Sequence, residues 1–521
     1  MADQETSQTV IRNTIFSSLE FGVGLIVSLL LTPYIIAKLG LEQYGIFALV
    51  GVLISFCSLL DVVGTGRAFV KYVAEFSARE EHSRINELVS LGFSYYFIFW
   101  CTVSGIVYLL RNPILALFKF PPELHDDILF VLCAILLVAM IRASFAVFRS
   151  VLLGLQRLDV ANSMKAIISV LYGAGAVVFL SLGFGLRGLA MNGVIMAALA
   201  GLSQMICCYR LAPWLRFRLF SFSKETVRFC FGFGIRIQIA QVSEIVSSHV
   251  DKLLLGHFVG MIPVAGYTLG AKIANIGRSV PGQLLPAIVP AASHLEAIAD
   301  KRRLHELYCR GSKYLAAIAL PLTVFMVIEA PAILQLWLGT YASPSAVLAL
   351  QVLPVAYTAG LLVSMARLVA RGMGIPQFEM RSALIIAVVN IVLSTVLIIK
   401  FGFVGALIGT TCAAVIGSVY FLFAFHSFMG RSFIKQIGSK VYPVLILACV
   451  TAGLACWGLG ILLPDDWTVA EIGRWQAFKT LALSGITFAV VFGAIVAALR
   501  YFDEYDRTVF LRLLKLLGRK Q

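Results

Sequence analysis

Residues 127–149 read DILFVLCAILLVAMIRASFAVFR. From Ile128 to Ile141 every residue is apolar, and Arg142 and Arg149 follow seven positions apart. An apolar helix of about 20 residues matches the hydrocarbon thickness of a bilayer, so this stretch is a membrane span that carries an arginine within it. Working outward, comparable runs lie near 14–37, 44–64, 88–110, 163–182, 188–209, 229–256, 264–290, 312–336, 346–370, 379–399, 403–426, 441–463 and 477–499. The pattern predicts an all-α polytopic membrane protein with about 14 transmembrane helices. The runs at 229–256 and 264–290 are the most polar of the set.

The composition agrees. Of 521 residues, 60% are hydrophobic and 13% charged, about half the charge of a soluble domain, which excludes a soluble enzyme or a disordered scaffold. Forty-two Lys and Arg against 27 Asp and Glu leave +15. That excess lies mostly between alternate apolar runs, which points to loops facing a cytoplasm and anionic lipid rather than to nucleic acid. With the N-terminus inside, the outward side holds only Lys38, Arg111, Lys119, Arg187, Lys400, Arg474 and Lys479. Both termini are therefore expected in the cytoplasm. The polar, non-basic start MADQETSQTV lacks the basic flank of a cleaved signal peptide, so the first run is read as a retained anchor. The ten cysteines form no C-x-x-C or Cys/His cluster, so neither a metal nor a redox cofactor is expected. The tail 500–521 sets Phe510, Leu513, Leu514 and Leu517 on one helical face among basic residues, the pattern of a helix lying on the inner leaflet.

The chain resembles itself at an offset of about 217–220 residues. Phe184-Gly-Leu-Arg-Gly-Leu-Ala190 echoes Phe401-Gly-Phe-Val-Gly-Ala-Leu407, Gly154-Leu-Gln-Arg echoes Gly372-Met-Gly-Ile, and the turn at Gly40 is matched by Gly260. Six runs separate the copies, an even number, so both halves share an orientation. The expected organisation is an N-terminal lobe (1–209), a linker (210–228), a C-terminal lobe (229–426), two further helices (427–499) and a basic tail (500–521). Two parallel six-helix lobes usually hold substrate between them and alternate access by rocking. No filter-like segment supports a channel.

Five basic residues fall at membrane depth: Arg142, Arg236, Lys252, Lys272 and Arg278. A charge there costs roughly 2.5–3.5 kcal/mol on insertion scales, so it normally faces a cavity or a partner. Lys272, Asn275, Ser279 and Gln283 form a polar stripe with Arg278 beside it; Gln241, Glu244, Ser248 and Asp251 or Lys252 form a second; Asn13, Ser17, Glu20 and Gly24 form a third. Facing one another, these stripes would line a wet, net basic cleft. Such a cleft suits an anion, a diphosphate above all, because arginine binds phosphate oxygens in pairs. Glu20, Glu244 and His249 can titrate and are candidates for ion coupling, with a fixed counter-charge as the other reading. Lys252 can equally snorkel from a helix end or pair with Asp251.

Tyr44-Gly-Ile-Phe-Ala-Leu49, Asp61-Val-Val-Gly-Thr-Gly-Arg-Ala-Phe-Val-Lys-Tyr-Val-Ala-Glu75 and Val250-Asp-Lys-Leu-Leu-Leu-Gly-His-Phe-Val-Gly260 resemble Wzx-type flippases. These are the polysaccharide transporters of the multidrug/oligosaccharidyl-lipid/polysaccharide (MOP) exporter superfamily. The resemblance implies a transporter, not an enzyme, that moves undecaprenyl-diphosphate-linked oligosaccharide units from the cytoplasmic to the periplasmic leaflet of a bacterial inner membrane. It serves O-antigen, capsule or exopolysaccharide assembly. It implies a cationic cavity, to which Arg142, Arg236, Lys272, Asn275 and Arg278 are assigned, and gate or structural roles for Asp61, Asp251 and Lys252. Its implied partners are the polyprenyl-linked glycan and membrane lipid, with a polysaccharide polymerase and a chain-length regulator as candidate assembly partners; the protein itself is expected to be a monomer. The alternatives are a lipid II flippase, a drug/cation antiporter of the same superfamily and, from another class, a membrane glycan polymerase or ligase. The last would need an outer domain and paired loop carboxylates that the sequence lacks.

Overall fold

The computed structural model describes every residue except 1, 59–65, 220–244, 283–284, 286–287, 431–440, 463–472, 507 and 509–521, and leaves out the side chains of 2–15, 66–68 and 461–462. The expectations for Asp61, Arg236, Gln241, Glu244, Gln283 and the amphipathic tail beyond 508 therefore lie outside the described residues. Among the described residues the helices follow one another and no strand occurs. They are α1 (Ala2–Cys57), α2 (Gly66–Ala78), α3 (His82–Leu109), α4 (Arg111–Leu117), α5 (His125–Gly154), α6 (Leu158–Ser181) and α7 (Gly185–Leu211), then α8 (245–258). After these come α9 (Met261–Gly282), α10 (Ile288–Ala297), α11 (Lys301–Ile328), α12 (Ala330–Leu338), α13 (Pro344–Leu362), α14 (Ser364–Gly372), α15 (Gln377–Phe401) and α16 (Phe403–Phe428). The last two are α17 (Val441–Leu462) and α18 (Arg474–Ala498).

Eleven of the described helices are long and apolar enough to cross a membrane. The first of them, Phe16–Cys57, contains two of the expected spans. Gly40 divides it with φ 79° and ψ 168°, a conformation open to glycine. Part of the expected seventh span is outside the described residues, and α9, the expected eighth, is not among the eleven. Lys272, Arg278 and Pro281 within α9 lower its hydropathy.

Contacts divide the chain into two compact units, Met1–Ala265 and Gly266–Gln521. In the first, α5 packs against α2, α3 and α7, while α6 lies between α1 and α7. Phe69, Ile85, Leu88, Phe148 and Leu152 fill the core where α2, α3 and α5 meet. In the second, α16 packs on α15 and α13, α11 on α13, and α10 on α14. The α17–α18 hairpin is fastened to α11 and α12.

The internal repeat is visible in the backbone. Left-handed residues recur in pairs: Gly40 with Gly260, Glu80 with Ala299, Gln156 with Gly374, and Gly185 with Gly402. Two of these pairs end helices with the same 6→1 hydrogen bond that satisfies orphan carbonyls. Glu81 N donates to Phe76 O (2.9 Å) as Asp300 N does to Leu295 O (3.0 Å), and Arg157 N donates to Leu152 O (2.8 Å) as Ile375 N does to Ala370 O (2.9 Å). The adjoining glycines match too. A Cβ on Gly154 would meet Val73 of α2 at 2.6 Å, and one on Gly372 would meet Ala292 of α10 at 2.5 Å. The Glu80–Ala299 pair has no glycine in either copy, so sequence comparison passes over it.

Candidate functional site

Seven residues are nearly two turns of helix, so Arg142 and Arg149 lie on one face of α5, about 10 Å apart along its axis. That face looks onto α6 and α7. Small residues on α7 permit the approach: a Cβ added to Gly201 would come within 2.6 Å of the Phe145 ring. Between the three helices lies a cavity of about 440 Å³. Arg142 and Arg149 enter it from α5, Lys165, Ser169 and Tyr172 from α6, and Gln204 from α7. Phe145, Met164, Ile168 and Met196 supply apolar wall. The volume falls in the range of small-ligand sites.

Of the polar stripe expected on the first helix, Ser17, Glu20 and Gly24 face α6. Ser17 Oγ accepts from Asn162 Nδ2 at 2.9 Å, Glu20 pairs with Lys165 at 2.6 Å, and a Cβ on Gly24 would stand 4.0 Å from Ser169 Oγ. The matching positions 17, 20, 24 and 162, 165, 169 show two helices in register along one seam. Asn192 of α7 ties the other side of α6 through Nδ2 to Tyr172 O (3.0 Å). Arg142 and Arg149 have no ion pair among the described residues. The cavity and its rim thus hold three cations against one carboxylate.

The remaining expected site residues lie elsewhere. Lys272, Asn275 and Arg278 are on α9 within the second unit, whereas Arg142 is in the first. Lys272 is half-buried and Arg278 exposed, its guanidinium 5.3 Å from the Tyr357 ring centroid. Asn275 O accepts from Ser279 Oγ at 2.8 Å. On α8, Asp251 is buried beside a half-buried Lys252, and His249 Nδ1 is buried without a hydrogen-bond partner among the described residues. The Phe258 end of α8 is clasped to the turn after α4: Lys119 donates through its backbone N to Gly256 O (3.3 Å) and through Nζ to Phe258 O (2.6 Å). His257 Nδ1 contacts Leu117 O. No three His, Cys, Asp or Glu side chains are grouped to hold a metal among the described residues.

The sequence aligns Arg149 with Arg142 on one helix face but favours a positive-inside role for it over a ligand role; Lys165 reads as an inward-loop charge, and Tyr172 and Gln204 are not singled out. The signal was available for Arg149, seven residues from Arg142. For Lys165 it was not, because only the packing of α6 on α1 reveals its partner. Glu329, between α11 and α12, is a further buried carboxyl; it bonds to Ser484 of α18.

Eleven helices of spanning length, with helices and no strand among the described residues, define a multi-pass membrane protein whose first unit holds a charged cavity. The chain belongs to the polysaccharide biosynthesis protein family, which matches residues 36–347, more than half of its length. It is similar to the probable flippase AglR of Haloferax volcanii, with 23% identity over 410 residues, 77% of this chain and 81% of that protein. Two solved structures share the fold. A lipid II flippase, MurJ, in an inward closed conformation has a TM-score of 0.71 at 16% identity, covering 93% of this chain and 99% of that one. An inward-facing multidrug resistance MATE family transporter of the MOP superfamily has a TM-score of 0.66 at 17% identity, covering 80% and 99%. The resemblance read from the residues is borne out at the level of family and fold.

Proposed function

We propose that the protein is a flippase that carries polyprenyl-diphosphate-linked oligosaccharide units, of the undecaprenyl type, from the cytoplasmic to the periplasmic leaflet of a bacterial inner membrane. The observation that carries this reading is the pair Arg142 and Arg149, two guanidinium groups without carboxylate partners among the described residues, facing one cavity in an apolar bundle. Intramembrane charge is retained where it meets ligand or water, and a guanidinium fork matches phosphate oxygens. The family match to polysaccharide biosynthesis proteins and the similarity to a probable flippase support a glycan-bearing lipid as cargo. Arg236, Lys272, Asn275 and Arg278, of the expected C-terminal lobe (229–426), are also assigned to substrate binding, and Glu20, Glu244 and His249 to ion coupling. Asp61, Asp251 and Lys252 act as gate or structural residues. Transport is by alternating access while the polyprenyl chain stays in lipid, and the sugar crosses through water rather than hydrocarbon. Both termini face the cytoplasm, the transporter is a monomer, and polymerase and chain-length regulator act on the delivered unit.

The test is reconstitution of the purified chain in proteoliposomes with a fluorescent lipid-linked oligosaccharide. Arg142→Glu should slow flipping at least about tenfold, the worth of one charge-assisted contact, with helix content and insertion unchanged. Flipping at the wild-type rate would remove Arg142 from the path. The fold shared with a lipid II flippase keeps that cargo as the second reading. Deletion in the native host separates the two: accumulation of a peptidoglycan precursor selects lipid II, and accumulation of another lipid-linked glycan selects the reading above. Altered drug tolerance alone would select an antiporter.

A further inference from the structure

The cations of the first unit's cavity are arranged by depth. Arg149 lies five residues, about 7 Å, from the Gly154 end of α5, and Arg142 about 18 Å from it. Lys165 is seven residues, about 10 Å, from the Leu158 start of α6, and Gln204 the same distance from the Leu211 end of α7. Residues 155–157 join α5 to α6 directly, and α7 returns antiparallel to α6. Arg149, Lys165 and Gln204 therefore share one level near this end of the bundle, and Arg142 and Tyr172 stand one level deeper. Phe145, Met164 and Ile168 run beside this ladder as an apolar wall. Among the described residues, Lys165 is the one of the three cations with an ion pair, to Glu20 at 2.6 Å. The Lys165 side chain is exposed, whereas Glu20 on α1 is mostly covered.

Glu20 places a carboxylate oxygen on Lys165 where an anionic ligand held by Arg149 and Arg142 would place one of its own. We propose that this cavity, wholly within the first unit, is a diphosphate-binding site, and that Glu20 is its resident stand-in, occupying Lys165 in the empty carrier and displaced from it when the diphosphate arrives. Arg149, Lys165 and the Gln204 amide receive the first phosphate at the outer rung, and Arg142 with the Tyr172 hydroxyl completes the inner one. The ladder and the apolar wall beside it suit a phosphate pair at the head of a hydrocarbon chain. Exchange of one anion for another on Lys165 keeps the lysine neutralised throughout, so binding requires no unpaired ammonium in the membrane. The inference rests on the lipid-diphosphate reading above and deepens it by naming Arg149, Lys165 and Glu20.

The experiment measures binding, not transport, by titration calorimetry of the full chain in detergent. The probes are farnesyl diphosphate, inorganic pyrophosphate and dioleoyl phosphatidylglycerol. Farnesyl diphosphate is expected to bind wild type. Arg149→Gln and Lys165→Gln should each weaken it at least about tenfold, Glu20→Gln should tighten it several-fold, and the double variant should follow Lys165→Gln. A structural role for the Glu20–Lys165 pair predicts the opposite sign for Glu20→Gln, so weaker or unchanged binding there overturns the proposal. Wild-type affinity in Arg149→Gln and Lys165→Gln overturns it as well. Pyrophosphate binding with the same dependence shows that the phosphates alone are recognised, and binding of farnesyl diphosphate only shows that the chain is read too; both support the site. Equal affinity for phosphatidylglycerol makes it a membrane-lipid site and overturns the diphosphate assignment. If wild type flips its cargo while Glu20→Gln leaves affinity unchanged, the inference fails and the transport reading stands. If wild type binds no diphosphate lipid at all, both fail. Thermal unfolding and size-exclusion profiles equal to wild type certify each variant as folded.

Discussion

Asp506 closes a clasp whose loss should be measurable. Its side chain is 4% exposed and accepts from Lys313 Nζ (2.5 Å), Arg310 Nη1 (3.3 Å) and the Tyr314 hydroxyl. Its Oδ2 also accepts from Asp503 N at 2.9 Å, and Asp503 Oδ1 accepts in return from Asp506 N at 2.8 Å. Tyr501 OH donates to Lys313 O (2.9 Å), and the Arg310 guanidinium lies 3.9 Å from the Tyr505 ring centroid. Together these contacts fix 501–506 against residues 310–314, in the third and fourth turns of α11. Asp506→Asn keeps the shape and removes the charge, leaving Lys313, itself 12% exposed, with a buried ammonium. Breaking a buried pair costs about 3–5 kcal/mol. Arg310 is 32% exposed, so its share is screened, and about 3 kcal/mol is expected. That is roughly a hundredfold in a local opening constant. Amide hydrogen exchange of the full chain reads it directly: protection of 501–506 should fall about a hundredfold, while that of α15 and α16 stays unchanged. Replacing both partners, Asp506→Leu with Lys313→Met, should restore most of the protection, since an apolar pair of similar volume serves nearly as well. Exchange within about threefold of wild type in Asp506→Asn would refute the argument that this ion cluster fastens the segment.

The same clasp should respond to acid. Burial would raise the Asp506 carboxyl, but the Lys313 ammonium and the Tyr314 hydroxyl prevail and hold it at about 2, below its ordinary 3.8. A depressed acid contributes stability above its unfolded pKa and loses it as pH falls through the folded value, so protection of 501–506 should be level from pH 8 to 5 and decline from about pH 4 toward 2. A loss between pH 8 and 6 would assign the clasp to another group. Two glycines of the second unit should part in sign: Gly405→Ala places a Cβ 2.1 Å from Leu397 O, backbone that cannot yield, and should cost about 1–3 kcal/mol. Gly493→Ala meets nothing within 4 Å and should gain up to about 1 kcal/mol through helix propensity. Thermal unfolding in detergent decides both, and equal midpoints would show that α15 and α16 are not in the contact described.

Which residues cross the membrane, and that the chain repeats itself, were matters of local composition. An apolar run of spanning length has one stable form in lipid because its backbone groups must bond within the segment, so residues 127–149 or 379–399 announce themselves. Glycines at the left-handed positions 185 and 402 announce a turn for an equally local reason. The face of α1 bearing Ser17, Glu20 and Gly24 followed from helical periodicity. Its partner did not: periodicity tells which side chains share a face, and only packing tells which helix that face meets. Lys165 therefore reads as a loop charge in the sequence, and the packing of α6 on α1 gives it its partner. Arg149 reads likewise, because an arginine near a helix end serves the positive-inside bias and a binding site alike. The clasp at Asp506 joins residues nearly two hundred positions apart, and no local pattern marks a surface-looking Asp-rich turn as buried. Apolar content and helix period, properties of neighbours in the chain, set the architecture; the charge pairs and the cavity depend on distances between segments, which exist only once the helices have packed.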